Sequence, residues 1–128
     1  MTTGKTLDGI EISERGQMLS DIASAAIESF AINYWCCRVG IMRKARNCRP
    51  QYMVDVIGLG GSLSIEEDKS EEGEPNVIHV LTGAKLMKGI KLAADHFGQS
   101  VKGFYENHDS ISADCAFQFA LFGKIIYS

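Results

Sequence analysis

The chain has 128 residues, 45% of them hydrophobic and 23% charged, with a net charge of −3 and an isoelectric point near 5.6. That length suits a single domain, residues 1–128, burying roughly two-thirds of its unfolded surface around one core. No run of about 18 apolar residues is present to span a membrane, no cofactor motif occurs, and the acidic balance speaks against duplex nucleic acid as a partner, which asks for a broad basic face.

The opening MTTGKTLDGIEIS lacks the apolar centre of a signal peptide, so the expected location is the cytoplasm. In that reducing setting Cys36, Cys37, Cys48 and Cys115 are expected to be thiols. No Cys-x-x-Cys or His-x-x-x-His spacing links them to His79, His96 or His108, and no metal site is expected.

In chain order, residues 1–12 read as a loose arm or a short edge strand through Leu7, Ile10 and Ile12. Ser13 is the expected cap of an amphipathic helix that buries Leu19, Ile22, Ala23, Ala26 and Phe30 and ends near Asn33. Tyr34 to Met42 is rich in aromatic and β-branched residues and predicts a strand, with Trp35, Cys37, Val39 and Ile41 on one side. After the basic turn RKARNCRP, the alternation of Tyr52, Val54 and Val56 with Met53, Asp55 and Ile57 predicts a second strand. Gly58 to Ser62 breaks it. The run lacks the Gly-Lys-Ser/Thr of a phosphate loop and the G-x-G-x-x-G of a dinucleotide loop, so a hairpin turn is expected. Ser62 to Ile65 and Val77 to Leu81 predict two further strands around the solvated loop EEDKSEEGEP. Thr82 caps a helix whose stripe is Leu86, Ile90, Ala93 and Phe97, Gly98 stops it, and residues 98–111 are expected to be a loop.

Ser112 then reads as the cap of the last helix, with Asp114 in its first turn at the positive end of the dipole. Phe117, Phe119, Leu121 and Phe122 make it apolar nearly all round, and Phe119 and Phe122 are expected to be buried. Gly123 is its stop, and Ile125 to Tyr127 predicts a last short strand. Helix, three or four strands, two helices and a short strand give an α+β class, a mostly antiparallel three- to four-stranded sheet covered by about three helices. The apolar surface of the last helix and its strand exceeds what one short sheet covers, which predicts a homodimer.

Gln118, Ala120, Leu121, Phe122, Gly123, Ile125 and Tyr127 form a tail that resembles Q-x-A-L-F-G-x-I-x-Y-G, the tail of small proteins of bacteriophages and other mobile elements. Lys124 stands where an acid is usual there, and Ser128 where a Gly is usual. Tyr34-Trp35 and Leu86, Gly89 and Ile90 echo the same group. The resemblance implies a genomic setting and a fold, and carries no catalytic residues.

Two charged stretches are the candidate surfaces. Arg38, Arg43, Lys44, Arg46 and Arg49 give +5 with no acid between them. Set at a hairpin tip beside Tyr34 and Trp35, the basic residues could hold phosphate or an acidic protein. Glu66, Glu67, Asp68, Glu71, Glu72 and Glu74 with Lys69 give −5, either a solubilising loop or a mimic of nucleic-acid phosphate. Cys48, between two arginines, lacks a nearby His, and His108 with Asp109 lacks a nucleophile, so an enzyme is not expected. The expectation is a non-enzymatic interaction protein acting on a host protein, with inhibition of a host defence system as the specific form. The alternative is a binder that sequesters a nucleotide signal on Arg43, Lys44, Arg46 and Arg49 against the Tyr34 and Trp35 rings.

Overall fold

A three-stranded antiparallel sheet carries the helices on one face. The structure is a computed structural model and describes residues 6–7, 9–11, 14–45 and 52–128. Its elements are β1 (Thr6–Leu7), β2 (Ile10–Glu11), α1 (Arg15–Ile27), β3 (Cys36–Arg43), α2 (Asp55–Gly58), β4 (Ser62–Glu67), β5 (Val77–Thr82), α3 (Gly83–His96), α4 (Val101–Glu106) and α5 (Ser110–Phe122). The fold is therefore α+β, as the order of elements predicts. Ser13, the expected cap of α1, lies outside the described residues, as does Ile12.

The sheet runs β3-β4-β5, with Ile65 opposite Val39 and His79, and Leu63 opposite Ile41 and Leu81. The two-residue period turns Leu63, Ile65 and Glu67 inward to the helices. Arg38, Ser64, Glu66 and Ile78 share the other face. A register shift between Cys36 and Arg38 breaks the alternation expected for β3. Cys36 faces inward opposite Glu67, and the bulge inserts Cys37 so that it and Arg38 are both exposed; Trp35, in the turn before the strand, is buried as well.

The core joins Met18, Ile22 and Ala26 of α1, Leu86, Ile90 and Ala93 of α3, and Ala113, Ala116 and Phe117 of α5. Helices α3 and α5 approach closely at Gly89. A Cβ there would lie 2.3 Å from the Ala116 carbonyl oxygen and 2.7 Å from Ala120 Cβ.

Several expectations are corrected. Residues 52–57 do not form a strand. They form a turn leading into α2, whose Val56 and Ile57 are buried, with Gly58 against the Gly16 carbonyl of α1. Packing on α1 overrides the strand preference of a short β-branched run. Gly58 to Ser62 is accordingly a helix-to-strand connection rather than a hairpin; Gly60 has φ 92° and Gly61 lies against the Arg43 carbonyl. Helix α1 stops at Ile27, and Phe30 is 71% exposed at φ 63°, not in the core. Phe97 is likewise exposed beyond the end of α3. The expected loop at 98–111 contains α4, capped by Ser100 and seated by Val101 and Phe104, an i, i+3 pair too short to declare itself in sequence. The cap of α5 is Asp109, whose carboxylate accepts from the Ser112 amide while Ser112 Oγ accepts from the Asp109 amide. Phe117 is the fully buried ring of α5, whereas Phe119 and Phe122 are partly buried. Residues 125–128 form no strand.

Candidate functional site

The end of the molecule where β3 begins is built on two side chains of α5 that face inward four residues apart. Asp114 and Gln118 are both buried. Asp114 accepts from Trp35 Nε1 at 2.8 Å and from the Tyr34 hydroxyl, so it serves the α1–β3 connection rather than its own helix dipole. Gln118 donates to Asp114 Oδ1 at 3.1 Å and to the Tyr127 carbonyl at 3.1 Å. Its own carbonyl accepts from the amides of Ile126 at 2.9 Å and Tyr127 at 2.8 Å. One side chain thus supplies the backbone partners that a neighbouring strand would have given, which is why the expected terminal strand does not form.

Gly123 at φ 73° reverses the chain, and the tail returns across Trp35. The Tyr127 ring stacks on Trp35 at 5.7 Å with planes 4° apart, and Phe122 meets Trp35 edge-on at 5.5 Å. The Tyr127 hydroxyl donates to Glu67, which also meets His79 Nε2 at 2.9 Å and Lys69 Nζ at 3.6 Å. Burial pushes the Glu67 carboxyl up, but the bonds from Tyr127 and His79 and the Lys69 charge outweigh it and hold it below the usual carboxylate range. Burial and the Glu67 carboxylate together drive the Tyr127 hydroxyl well above its ordinary value.

Beside this network lies an open groove of about 520 Å³ between the α1–β3 connection, the first turns of α5 and the tail. Ala31, Tyr34, Ile111, Cys115, Ile125 and Tyr127 are among its walls, with Asp114 at its base. Ile111 is 70% exposed, and Phe30 stands one residue before Ala31.

The structure separates Trp35 from Arg43 and Lys44, two of the residues expected to act with it. Trp35 is 1% exposed and its ring is taken by Tyr127 and Phe122, so it offers no stacking face to a ligand. Arg43 and Lys44 are at the far end of β3, eight residues long and so about 25 Å from end to end. Arg43 donates to the Gly60 carbonyl at 3.2 Å. Arg46, Cys48 and Arg49 lie outside the described residues.

The acidic run is what adjoins Tyr34 and Trp35, since the Asp68 amide donates to the Trp35 carbonyl at 2.9 Å. It is not a uniformly solvated loop. Glu67 faces the core, Asp68 Oδ1 accepts from the Ser70 amide at 2.9 Å at the start of the short 3-10 turn Ser70–Glu72, and Asn76 Nδ2 donates to Glu66 at 3.0 Å. Glu71, Glu72 and Glu74 remain exposed. Basic and acidic residues therefore mark opposite ends of β3, and only Arg38 and Glu66 meet across the β3–β4 ladder.

Three thiols are described, and all are held in the neutral form. Burial raises Cys36 and Cys115, the latter with Asp114 and Asp109 adding to it, and desolvation with the Glu66 carboxylate raises Cys37. Asp109 is occupied as a cap, and His108 Nδ1 lies 2.6 Å from the Tyr105 carbonyl oxygen. Among the described residues no group of three or more His, Cys, Asp or Glu gathers as metal ligands, and no helix is long and apolar enough to cross a membrane.

Sequence reasoning found Tyr34, Trp35 and the acidic run, read Asp114 only as a first-turn acid and Gln118 only as part of the tail pattern, and missed their joint buried role. Their signal was present: two polar residues four apart on the most apolar helix of the chain, a spacing that puts both on one buried face. No protein-family model matches the chain, and no curated protein or solved structure matches it.

Proposed function

We propose that this chain is a non-enzymatic interaction protein whose partner-binding surface is the end where the groove and the acidic turn meet. The observation that carries the reading is the combination there of apolar anchors with charge. Phe30 is held outward in a left-handed conformation that a bulky side chain adopts at a cost of roughly 1–3 kcal/mol, beside a groove walled by Tyr34, Ile111 and Ile125. Tyr127 links that groove to Glu67 at the start of the acidic turn. Apolar anchors supply affinity, and exposed acids steer a partner of opposite charge and raise the on-rate. The partner chemistry is a protein face with basic side chains around one or more protruding apolar ones. The raised thiols and the engaged His79 and His108 support a binding role over a nucleophilic or acid–base one.

The tail resemblance to proteins of phages and mobile elements supports a host protein as that partner, and inhibition of a host defence system is the specific form proposed. The test is affinity capture from lysates of several bacterial hosts at moderate salt, comparing the wild type with Ile111→Arg and with a Glu71→Gln, Glu72→Gln, Glu74→Gln triple variant. The expected result is a protein retained by the wild type, lost with Ile111→Arg, and captured by the triple variant with weaker salt dependence. Equal retention by Ile111→Arg, or nothing retained from any host, overturns the reading. A solution mass of twice 14.0 kDa that reverts with Ile111→Arg would assign the groove to a second copy instead.

A further inference from the structure

A second groove, on the side where α1 and α3 begin, is independent of the surface proposed above. It has a volume of about 390 Å³ and is walled by Arg15 and Leu19 of α1 and by Gly83, Ala84, Met87, Lys88 and Lys91 of α3. Three of its walls are cationic and none is acidic, on a chain whose net charge is −3. Arg15 and Lys88 form no ion pair with a described residue, whereas Lys69 is shared between Glu67 and Glu72. Like charges gathered around one concavity repel one another and raise the local concentration of anions.

We propose that this groove binds a small ligand bearing a phosphate group on a flat apolar body, such as a nucleoside monophosphate. Arg15 supplies a planar fork of donors for the phosphate oxygens and Lys88 a mobile point charge, the pairing that suits a tetrahedral dianion. Leu19 and Met87 are largely buried beneath the cations and give the body of the ligand an apolar floor. The volume lies in the range of small-molecule sites, about 300–1,000 Å³. That size favours a mononucleotide over an extended acidic peptide. The sequence pointed to phosphate at Arg43, Lys44, Arg46 and Arg49; this groove is a different gathering of cations, from two helices separated by the whole sheet in sequence.

The test is a titration of the full chain followed by amide NMR, with adenosine 5′-monophosphate, adenosine, inorganic phosphate and octaglutamate as probes. The monophosphate is expected to shift the amides of Arg15, Leu19, Ala84 and Lys88 saturably, with a dissociation constant at or below about 1 mM. Adenosine should bind at least about tenfold more weakly, and inorganic phosphate more weakly than the monophosphate because it leaves the floor uncovered. Lys88→Gln and Arg15→Gln should each weaken the monophosphate about tenfold, or about 1.4 kcal/mol, with the remaining amides unmoved. The proposal is overturned by shifts that do not saturate, by equal binding of adenosine, or by binding indifferent to both variants. Tighter binding of octaglutamate than of the monophosphate overturns it in favour of an acidic peptide.

Discussion

Replacing Gln118 with Met keeps the volume of a fully buried side chain and removes every hydrogen bond it makes. The amides of Ile126 and Tyr127 lose their acceptor, and Asp114 loses one donor. Each neutral bond is worth about 1 kcal/mol net and a bond to a charged group about 1.5–3 kcal/mol. If the tail peels away, the Trp35–Tyr127 stack adds about 0.5–1.5 kcal/mol, while water takes up the freed amides and returns part of the loss. The expected destabilisation is about 3 kcal/mol, or a fall in melting temperature of about 10 °C for a chain of this size. Trp35 is the chain's one tryptophan and lies under Tyr127, so its emission should shift to the red in the variant before global unfolding. Gln118→Glu separates donor from acceptor. It keeps an acceptor for the two tail amides but sets an oxygen against Asp114. Burial and that carboxylate raise the introduced group's folded pKa above its unfolded value of about 4.3. The variant should therefore match the wild type most closely below about pH 4 and lose stability as pH rises through the folded pKa. Unchanged Trp35 emission in Gln118→Met, with a melting temperature within about 2 °C of the wild type, would refute the assignment of Gln118 as the tail's anchor.

Gly89→Ala should cost at least about 1–3 kcal/mol by chemical denaturation, because the added methyl meets the Ala116 carbonyl on a backbone that cannot step aside. Phe117→Ala should cost about 3–5 kcal/mol and Phe119→Ala distinctly less, an order that a denaturation series checks and that reversed values would sink. Alkaline stability follows from three tyrosines. Burial, then the Asp21 carboxylate, pushes the Tyr105 hydroxyl up to about 12, while burial with Asp114 and with Glu67 carries Tyr34 and Tyr127 higher. A raised folded pKa gives stabilisation that is whole below the unfolded value near 10 and is lost as pH rises through the folded values. Denaturant stability should then decline above about pH 10, less steeply in Tyr105→Phe, and Tyr34, Tyr105 and Tyr127 all ionising near pH 10 in a chain with native circular dichroism would contradict it.

The long elements were legible because periodicity and punctuation agreed in them. Thr82 and Gly98 bracket α3 as read, and Gly123 ends α5. Short segments were not, since Tyr52, Val54 and Val56 alternate with Met53, Asp55 and Ile57 like a strand, yet Val56 and Ile57 are shaped by packing on α1, which no local pattern encodes. The candidate site was half visible. Gln118, Phe122, Gly123 and Tyr127 stood out in the tail, and the tail and its helix pack against Tyr34, Trp35 and Gly89. What could not be read was the pairing itself. Trp35 and Arg43 stand at opposite ends of β3 because the strand is extended, and extension carries neighbours in sequence apart.

The sheet has two outer strands, and they are protected differently. On β3 the arginines at 38 and 43 and the register shifts discourage another chain from adding alongside. Along β5 the run Val77 to Thr82 has no acid, lysine or arginine, and Val77 and Ile78 are exposed. Its guard comes from the next helix, where Lys85 Nζ donates to the Val80 carbonyl at 2.9 Å. Neutralising that ammonium, by substitution or by acetylation, releases the carbonyl to a foreign amide. Lys85 thereby occupies one backbone acceptor of β5 that an added strand would otherwise use.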